Sequence, residues 1–279
     1  MFGRAGPKGA DAADELAALR GRIEALEQRD KAATDLLLPG LWTTLARLYE
    51  GETGQGSLTC LACAQTASPA SFGVREDRCV FGGGLLKRFE CPACGCVFGP
   101  QWYLDTPSEV IDADYRQLYL NYREADSTDD EIRAFHLLDP KPEGVYLNWG
   151  SGAWSRSVQT LREHGWEVWG YEPHAQTDSP FIVRDRAEIS ARFDGIFSNN
   201  VIEHFFDPAA QFADFHDVLK PGGRMVHASP CYAWAYAYTR FHVFFPMGDA
   251  PARLAARTGY ALDGRVEDGD FRACLFRAI

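Results

Sequence analysis

The stretches GVYLNWGSG (residues 144–152) and WEVWGYEP (residues 166–173) decide the fold. An apolar run leads into Gly150-Ser151-Gly152, and a second short apolar run ends in Glu172. Between them, Ser155 stands where it would cap a helix carrying Val158 and Leu161 on one face. The pattern predicts a strand–turn–helix–strand unit that holds a nucleoside. Glycines at the turn let backbone approach a ligand without Cβ atoms in the way. An acid about twenty residues further on is placed to accept hydrogen bonds from ribose hydroxyls.

Two nucleoside cofactors fit such a unit, NAD and S-adenosylmethionine. A dinucleotide fingerprint wants a third glycine, three residues after Gly152, for close packing on the pyrophosphate. Ser155 occupies that position with the bulky Trp154 before it. This disfavours a pyrophosphate and permits a ligand without phosphates.

The segment FDGIFSNNVIEHFFDP (residues 193–208) reads as a strand, a polar loop and a helix start, with Asp207 as N-cap and Pro208 at the first helical position. Phe212, Phe215 and Leu219 form the buried face of that helix, Lys220-Pro221-Gly222-Gly223 stops it, and residues 224–230 form another strand. Residues 250–258 read as a helix ending near Gly259, and residues 260–265 and 271–278 as two strands around a Glu-Asp-Gly-Asp turn.

With YLNWGSG, VWGYEP, FDGIFSNNVIEHFFDP and VLKPGGRMVHASP in this order, the chain from about Val145 onward resembles the class I S-adenosylmethionine-dependent methyltransferases. The resemblance implies a Rossmann-like α/β domain of seven strands whose final strand is reversed. It implies that Gly150, Ser151 and Gly152 line the methionine and ribose portion of the cofactor, and that Glu172 binds the ribose hydroxyls. It further implies Asp185 near the adenine and Asn199 where a polar loop meets cofactor and acceptor. Two departures stand out: the family usually has Asp at the position of Asn148 and a small residue at that of Trp154.

Eight cysteines are present, four of them in Cys60-x-x-Cys63 and Cys91-x-x-Cys94. Two such knuckles supply four thiolates to a tetrahedral ion, and a closed shell of this kind is structural rather than catalytic. Cys96 is an alternative ligand by proximity; Cys79, Cys231 and Cys274 read as plain thiols. The text around and after the second knuckle, CPACGCVFGPQWYLDTPSEVIDADYRQLYLNY, resembles a bacterial subgroup in which a zinc ribbon and a tyrosine-rich linker precede a methyltransferase domain. That layout includes sugar methyltransferases of natural-product and cell-envelope pathways, which implies a saccharide acceptor and a place in polysaccharide biosynthesis.

Leu16, Leu19, Ile23 and Leu26 recur three and four apart, weakly continued by Ala33 and Leu37, among charged residues. This is a coiled-coil pattern that predicts a homo-oligomer or docking to a pathway partner. The alternative is an amphipathic helix packed on the chain's own body. Residues 1–10 are expected to be disordered. Pro39-Gly40 is expected to break the helix, with another over residues 41–49. The resulting division is a coiled-coil helix over 1–37, a helical linker over 38–57, a zinc ribbon over 58–100, a linker over 101–143 and the methyltransferase domain over 144–279.

The net charge of −11 argues against a nucleic-acid backbone as main partner. No run is long and apolar enough to span a bilayer, and no signal-peptide core stands at the N-terminus, so a cytoplasmic protein is expected. Methyl transfer to a hydroxyl needs a general base, and histidine suits neutral pH. His204, which the resemblance places near the transferred methyl, and His242 in TRFHVFFP are the candidates, with Glu203 able to orient the former. Tyr232, Tyr236 and Tyr238 line an acceptor or pack; His227 reads as a core histidine. The leading expectation is O-methylation of a saccharide or related small molecule. The competing readings are an RNA or protein methyltransferase docking through its ribbon, and a non-catalytic scaffold with a degenerate fold.

Overall fold

The computed structural model describes residues 9–52, 56–122 and 125–279. Of the stretch expected to be disordered, residues 1–8 lie outside the described residues, and Gly9 and Ala10 already belong to a helix. That helix, α1 (Gly9–Glu52), does not break at Pro39. A proline inside a helix removes one donor and crowds the preceding turn, at a cost of about 3 kcal/mol. Packing of the second half of α1 offsets that cost. Trp42 is buried with its ring centroid 5.5 Å from those of both Trp102 and Tyr103. Gly82 lies so close under Pro39 that a Cβ there would meet the proline Cγ at 2.6 Å. Leu38, Leu45, Ala46 and Tyr49 join the same core. The first half is different: Leu16, Leu19, Ile23 and Leu26 are each about half exposed and join none of the cores formed among the described residues.

After α1 come β1 (Leu58–Thr59) and β2 (Thr66–Ala67), paired antiparallel across the first cysteine knuckle, then β3 (Gly73–Arg78), β4 (Leu85–Glu90) and β5 (Val97–Phe98). The segment expected as a linker is helical: α2 (Gln101–Leu104), α3 (Ser108–Asn121) and α4 (Thr128–Leu137). α4 belongs to the domain that follows, with Phe135 buried 5.5 Å from the ring of Phe197.

The larger unit runs β6 (Val145–Trp149), α5 (Arg156–Glu163), β7 (Glu167–Tyr171), β8 (Ile182–Val183), β9 (Phe193–Asn199), α6 (Pro208–Val218), β10 (Leu219–Ala228), β11 (Phe244–Phe245), α7 (Ala250–Arg257), β12 (Tyr260–Asp268) and β13 (Phe271–Ala278). Seven of these strands form one sheet in the order β8-β7-β6-β9-β10-β13-β12. All neighbours are parallel except β13, which runs against both β10 and β12. This is the expected Rossmann-like α/β sheet with its reversed last strand. Helices cover both faces of such a sheet, which is why β6 and β9 read as near-continuous apolar runs rather than alternating ones. The Lys220–Gly223 stretch does not end α6 as a loop. It enters β10 as a bulge, with the register shifting between Leu219 and Arg224.

Strand order reverses between β6 and β9, and ligands of open α/β sheets bind beyond the carboxyl ends of the strands at such a point. β11 leaves this sheet altogether and completes the ribbon sheet, whose order is β11-β5-β4-β3. Among the described residues no helix is long and apolar enough to cross a membrane.

Candidate active site

The glycine turn sits at the end of β6, and its two glycines do different work. Gly150 and Gly152 both take left-handed backbone (φ +73° and +74°). A Cβ on Gly150 would meet Val201 Cγ2 at 2.6 Å, so this glycine makes room for the chain's own side chain. A Cβ on Gly152 would meet nothing within 4 Å; its open side is where a ligand can lie against backbone. Glu172, just past β7, folds back onto the turn. Its Oε2 accepts from the Gly152 N–H (3.2 Å) and its Oε1 from the His174 N–H (3.0 Å). Ser151 is buried, with its hydroxyl 2.8 Å from that of Ser155.

Ser155 holds the N-cap position of α5 but is not a side-chain cap. Its φ is +47°, and its Oγ donates back to Gly152 O (3.0 Å) instead of accepting from the helix. It therefore stiffens the glycine turn. Asn199 ends β9, buried, and its Nδ2 has no hydrogen-bond partner among the described residues. A buried amide donor left open beside a glycine turn and a ribose-type acid fits a nucleoside ligand. Asp185 is exposed just past β8, where it caps a short 3-10 turn through the Ala187 N–H (2.9 Å). Trp154 is 59% exposed and does not fill the turn.

Asn148, fully buried, donates to Glu131 Oε2 (2.7 Å) and to Ser157 Oγ (2.9 Å). Glu131 also accepts from the Ser127 and Ser157 hydroxyls, yet burial outweighs these donors and pushes its carboxyl up. The departure at position 148 thus has a local reason: an amide donor suits the neighbouring carboxylate. Nothing in the acidic run 129–131 distinguishes Glu131 in the sequence.

From Asn199 the chain passes Val201, seated on Gly150, and reaches a 3-10 turn at Ile202–His204. Here both expected bases meet. The rings of His204 and His242 lie 4.9 Å apart, and a carboxylate oxygen of buried Glu203 comes within 4.8 Å of a nitrogen of each. His204 Nδ1 lies 3.0 Å from Phe241 O and His242 Nδ1 2.9 Å from Tyr236 O. A carbonyl only accepts, so these two contacts favour the tautomer with its proton on Nδ1 and a lone pair on Nε2. Burial pushes His204 down to about 4 and His242 well below its usual value, the latter also disfavoured by His204. Both are neutral at pH 7. His227, by contrast, is a core histidine on Ser198 Oγ (2.8 Å), pushed down to about 3 by burial.

Residues outside the seven-stranded sheet hold this pair. Tyr115 of α3 places its hydroxyl 2.6 Å from His204 Nδ1. Arg88 of β4, fully buried, donates to Ala237 O (2.7 Å), Thr239 O (2.6 Å) and His242 O (3.0 Å). Arg240 forms a two-pronged buried ion pair with Asp114 of α3 (2.7 Å each) and donates to Phe81 O and Gly82 O. Sequence reasoning missed Arg88, Asp114, Tyr115 and Arg240, since no local pattern links positions so far apart. Tyr236 and Tyr238 are partly exposed with rings 5.7 Å apart, whereas the hydroxyl of Tyr232 is buried.

Cys60, Cys63, Cys91 and Cys94 bring their sulfurs together, with Cys60–Cys94 and Cys63–Cys91 each 3.6 Å apart. Four thiolates about 2.3 Å from a tetrahedral zinc would stand about 3.8 Å from one another, so the donor set fits that ion. Each knuckle turns through a left-handed residue, Ala64 or Gly95. Their N–H groups donate to Cys60 O (3.0 Å) and Cys91 O (2.8 Å). Cys96 lies outside the quartet, with its Sγ 3.8 Å from Val97 O.

No curated protein matches the chain. Among solved structures it is similar to the 1,6-didemethyltoxoflavin-N1-methyltransferase of Burkholderia thailandensis: 19% identity, 70% of this chain and 95% of that one, TM-score 0.47. It is also similar to a S-adenosylmethionine-dependent methyltransferase of Mesorhizobium loti (18%, 53% and 97%, TM-score 0.41). A TehB-like methyltransferase of Corynebacterium glutamicum gives 21%, 62% and 98%, with TM-score 0.40. The family model described as a methyltransferase domain matches residues 130–263. Over that span, which holds the glycine turn, Glu172 and both histidines, the chain is similar to a methyltransferase domain.

Proposed function

We propose that the protein moves a methyl group from S-adenosylmethionine to a hydroxyl of a saccharide or related small-molecule acceptor, with the His204–His242 pair as general base. The observation that carries this reading is the pairing of two neutral imidazoles, each anchored at Nδ1 by a carbonyl, next to a buried carboxylate. When bound, the cofactor would supply an electrophilic methyl on a sulfonium, whose C–S electron pair would stay on sulfur as the acceptor oxygen takes the methyl. The hydroxyl proton passes to an imidazole Nε2, and Glu203 offsets the charge that develops there. The chain's own part is alignment: Glu172 and the Gly152 backbone for the ribose, and Asn199 Nδ2 as an open donor for a polar group of the cofactor.

The Cys60, Cys63, Cys91 and Cys94 quartet is proposed to hold a structural zinc. With it, the ribbon serves as one wall of the acceptor side, because Arg88 fixes the carbonyls around His242. The net charge of −11 supports a small-molecule acceptor over an RNA backbone. The accommodation of Asn148 by Glu131 supports an active rather than degenerate domain.

The test is calorimetric binding of S-adenosylmethionine and its demethylated product to wild type and Glu172→Ala. Loss of charge-assisted contacts should cost about 1.5–3 kcal/mol of binding. Turnover of nucleotide-linked sugars by wild type, absent from both His204→Ala and His242→Ala, would then support the acceptor class and the base. A folded, zinc-replete wild type that binds neither ligand would refute the reading.

A further inference from the structure

The two halves of α1 differ in what covers them. From Leu38 to Tyr49 the apolar side packs on the chain's own ribbon and linker. From Leu16 to Leu26 the apolar side faces solvent, each of its four residues about half exposed. The spacing 16–19–23–26 is a heptad seam, with Leu16 and Ile23 at a and Leu19 and Leu26 at d. This register puts Glu15 and Arg22 at g, and Arg20 and Glu27 at e, all exposed.

We propose that this segment pairs in parallel, in register, with the same segment of a second copy of the chain. Charge complementarity selects the occupant. In a parallel pair each g residue meets the e residue of the partner's next heptad, which gives Glu15 with Arg20 and Arg22 with Glu27, each twice by symmetry. An antiparallel pair that keeps the four apolar layers sets Arg20 against Arg20 and Arg22 against Arg22. Ile23 at a between Leu19 and Leu26 at d also suits two strands. Asp30 takes the next a position, where two carboxylates would face each other, so the seam ends at Leu26. A seam this short makes a concentration-dependent dimer, and both catalytic bodies hang from the same end of it.

The test uses the full chain, with mass in solution measured by light scattering over a wide concentration range. Wild type is expected to pass from monomer to dimer, and Ile23→Asp to stay monomeric with S-adenosylmethionine binding unchanged. Glu15→Arg alone and Arg20→Glu alone each replace two attractions with two repulsions, raising the dissociation constant about ten-fold. Mixed together, these two variants restore both attractions of the parallel register, so the mixture should dimerise as wild type does, and not more tightly. A wild type that stays monomeric, a trimer, a dimer indifferent to Ile23→Asp, or a mixture no tighter than its components each overturns the proposal.

Discussion

Replacing Asn148 by Asp, the residue that the resemblance leads one to expect there, should destabilise this protein, and increasingly so as pH rises. Asn148 has no solvent exposure, and its amide donates to Glu131 Oε2 at 2.7 Å. Aspartate there sets two carboxyl groups at hydrogen-bond distance in a site where burial already pushes Glu131 up. Two ionised groups about 4 Å apart repel by about 4 kcal/mol at an effective dielectric of 20. The pair escapes by sharing one proton, as carboxyl dyads do. Keeping that proton at pH 7, three units above the usual carboxyl range, costs about 1.4 kcal/mol per unit, so the penalty is capped near 4 kcal/mol. The sign follows from the raised folded-state value. The folded variant binds more protons than the unfolded chain between about pH 4 and the dyad's upper pKa. Its stability is therefore highest below that window and is lost as pH rises through it. Near pH 4 the protonated acid donates where the amide did, and the deficit shrinks to about 1 kcal/mol. Urea unfolding of wild type and variant at pH 5 and pH 7 measures the difference, which should grow by about 2–3 kcal/mol between them. A deficit that is flat with pH, or a variant more stable than wild type at pH 7, would refute the account of Glu131 as the reason for asparagine.

Two further outcomes follow from the buried framework. Arg240→Met strands Asp114 in the interior and should lower unfolding stability by about 3–5 kcal/mol; adding Asp114→Asn should recover part of that loss. Stripping metal with a chelator at neutral pH should loosen the ribbon and, through Arg88, the carbonyls around His242. Methyl transfer should then fail before S-adenosylmethionine binding does, whereas equal loss of both would detach the ribbon from the acceptor side.

What the sequence disclosed was local. The Gly150–Gly152 turn, the acid at 172 and the paired cysteines are short motifs whose spacing carries their chemistry, and the structure brings each set together. Pro39 misled because its local penalty is outweighed by Trp42 and its neighbours, which pack on residues some sixty positions away. Ser155 misled for a related reason, since its hydroxyl prefers the glycine turn behind it to the helix ahead. The tether around His242 was illegible because it is made of pairs such as Arg88 and Ala237, 149 residues apart, and a charged residue inside a strand pattern shows nothing of its partner.

The pairing of β5 with β11 also bears on how the chain emerges from the ribosome. Cysteines 60 to 94 are available to bind metal early, but the edge of β5 has no strand beside it until residues 244 and 245 are made. For most of synthesis a bare edge next to Phe98 awaits a distant segment, a contact of high sequence separation and slow closure. The early-made ribbon and the late-made 237–245 loop are thus one structural piece. Transplanting either into a relative without the other would leave an open edge and an Arg88 guanidinium with no carbonyls to hold.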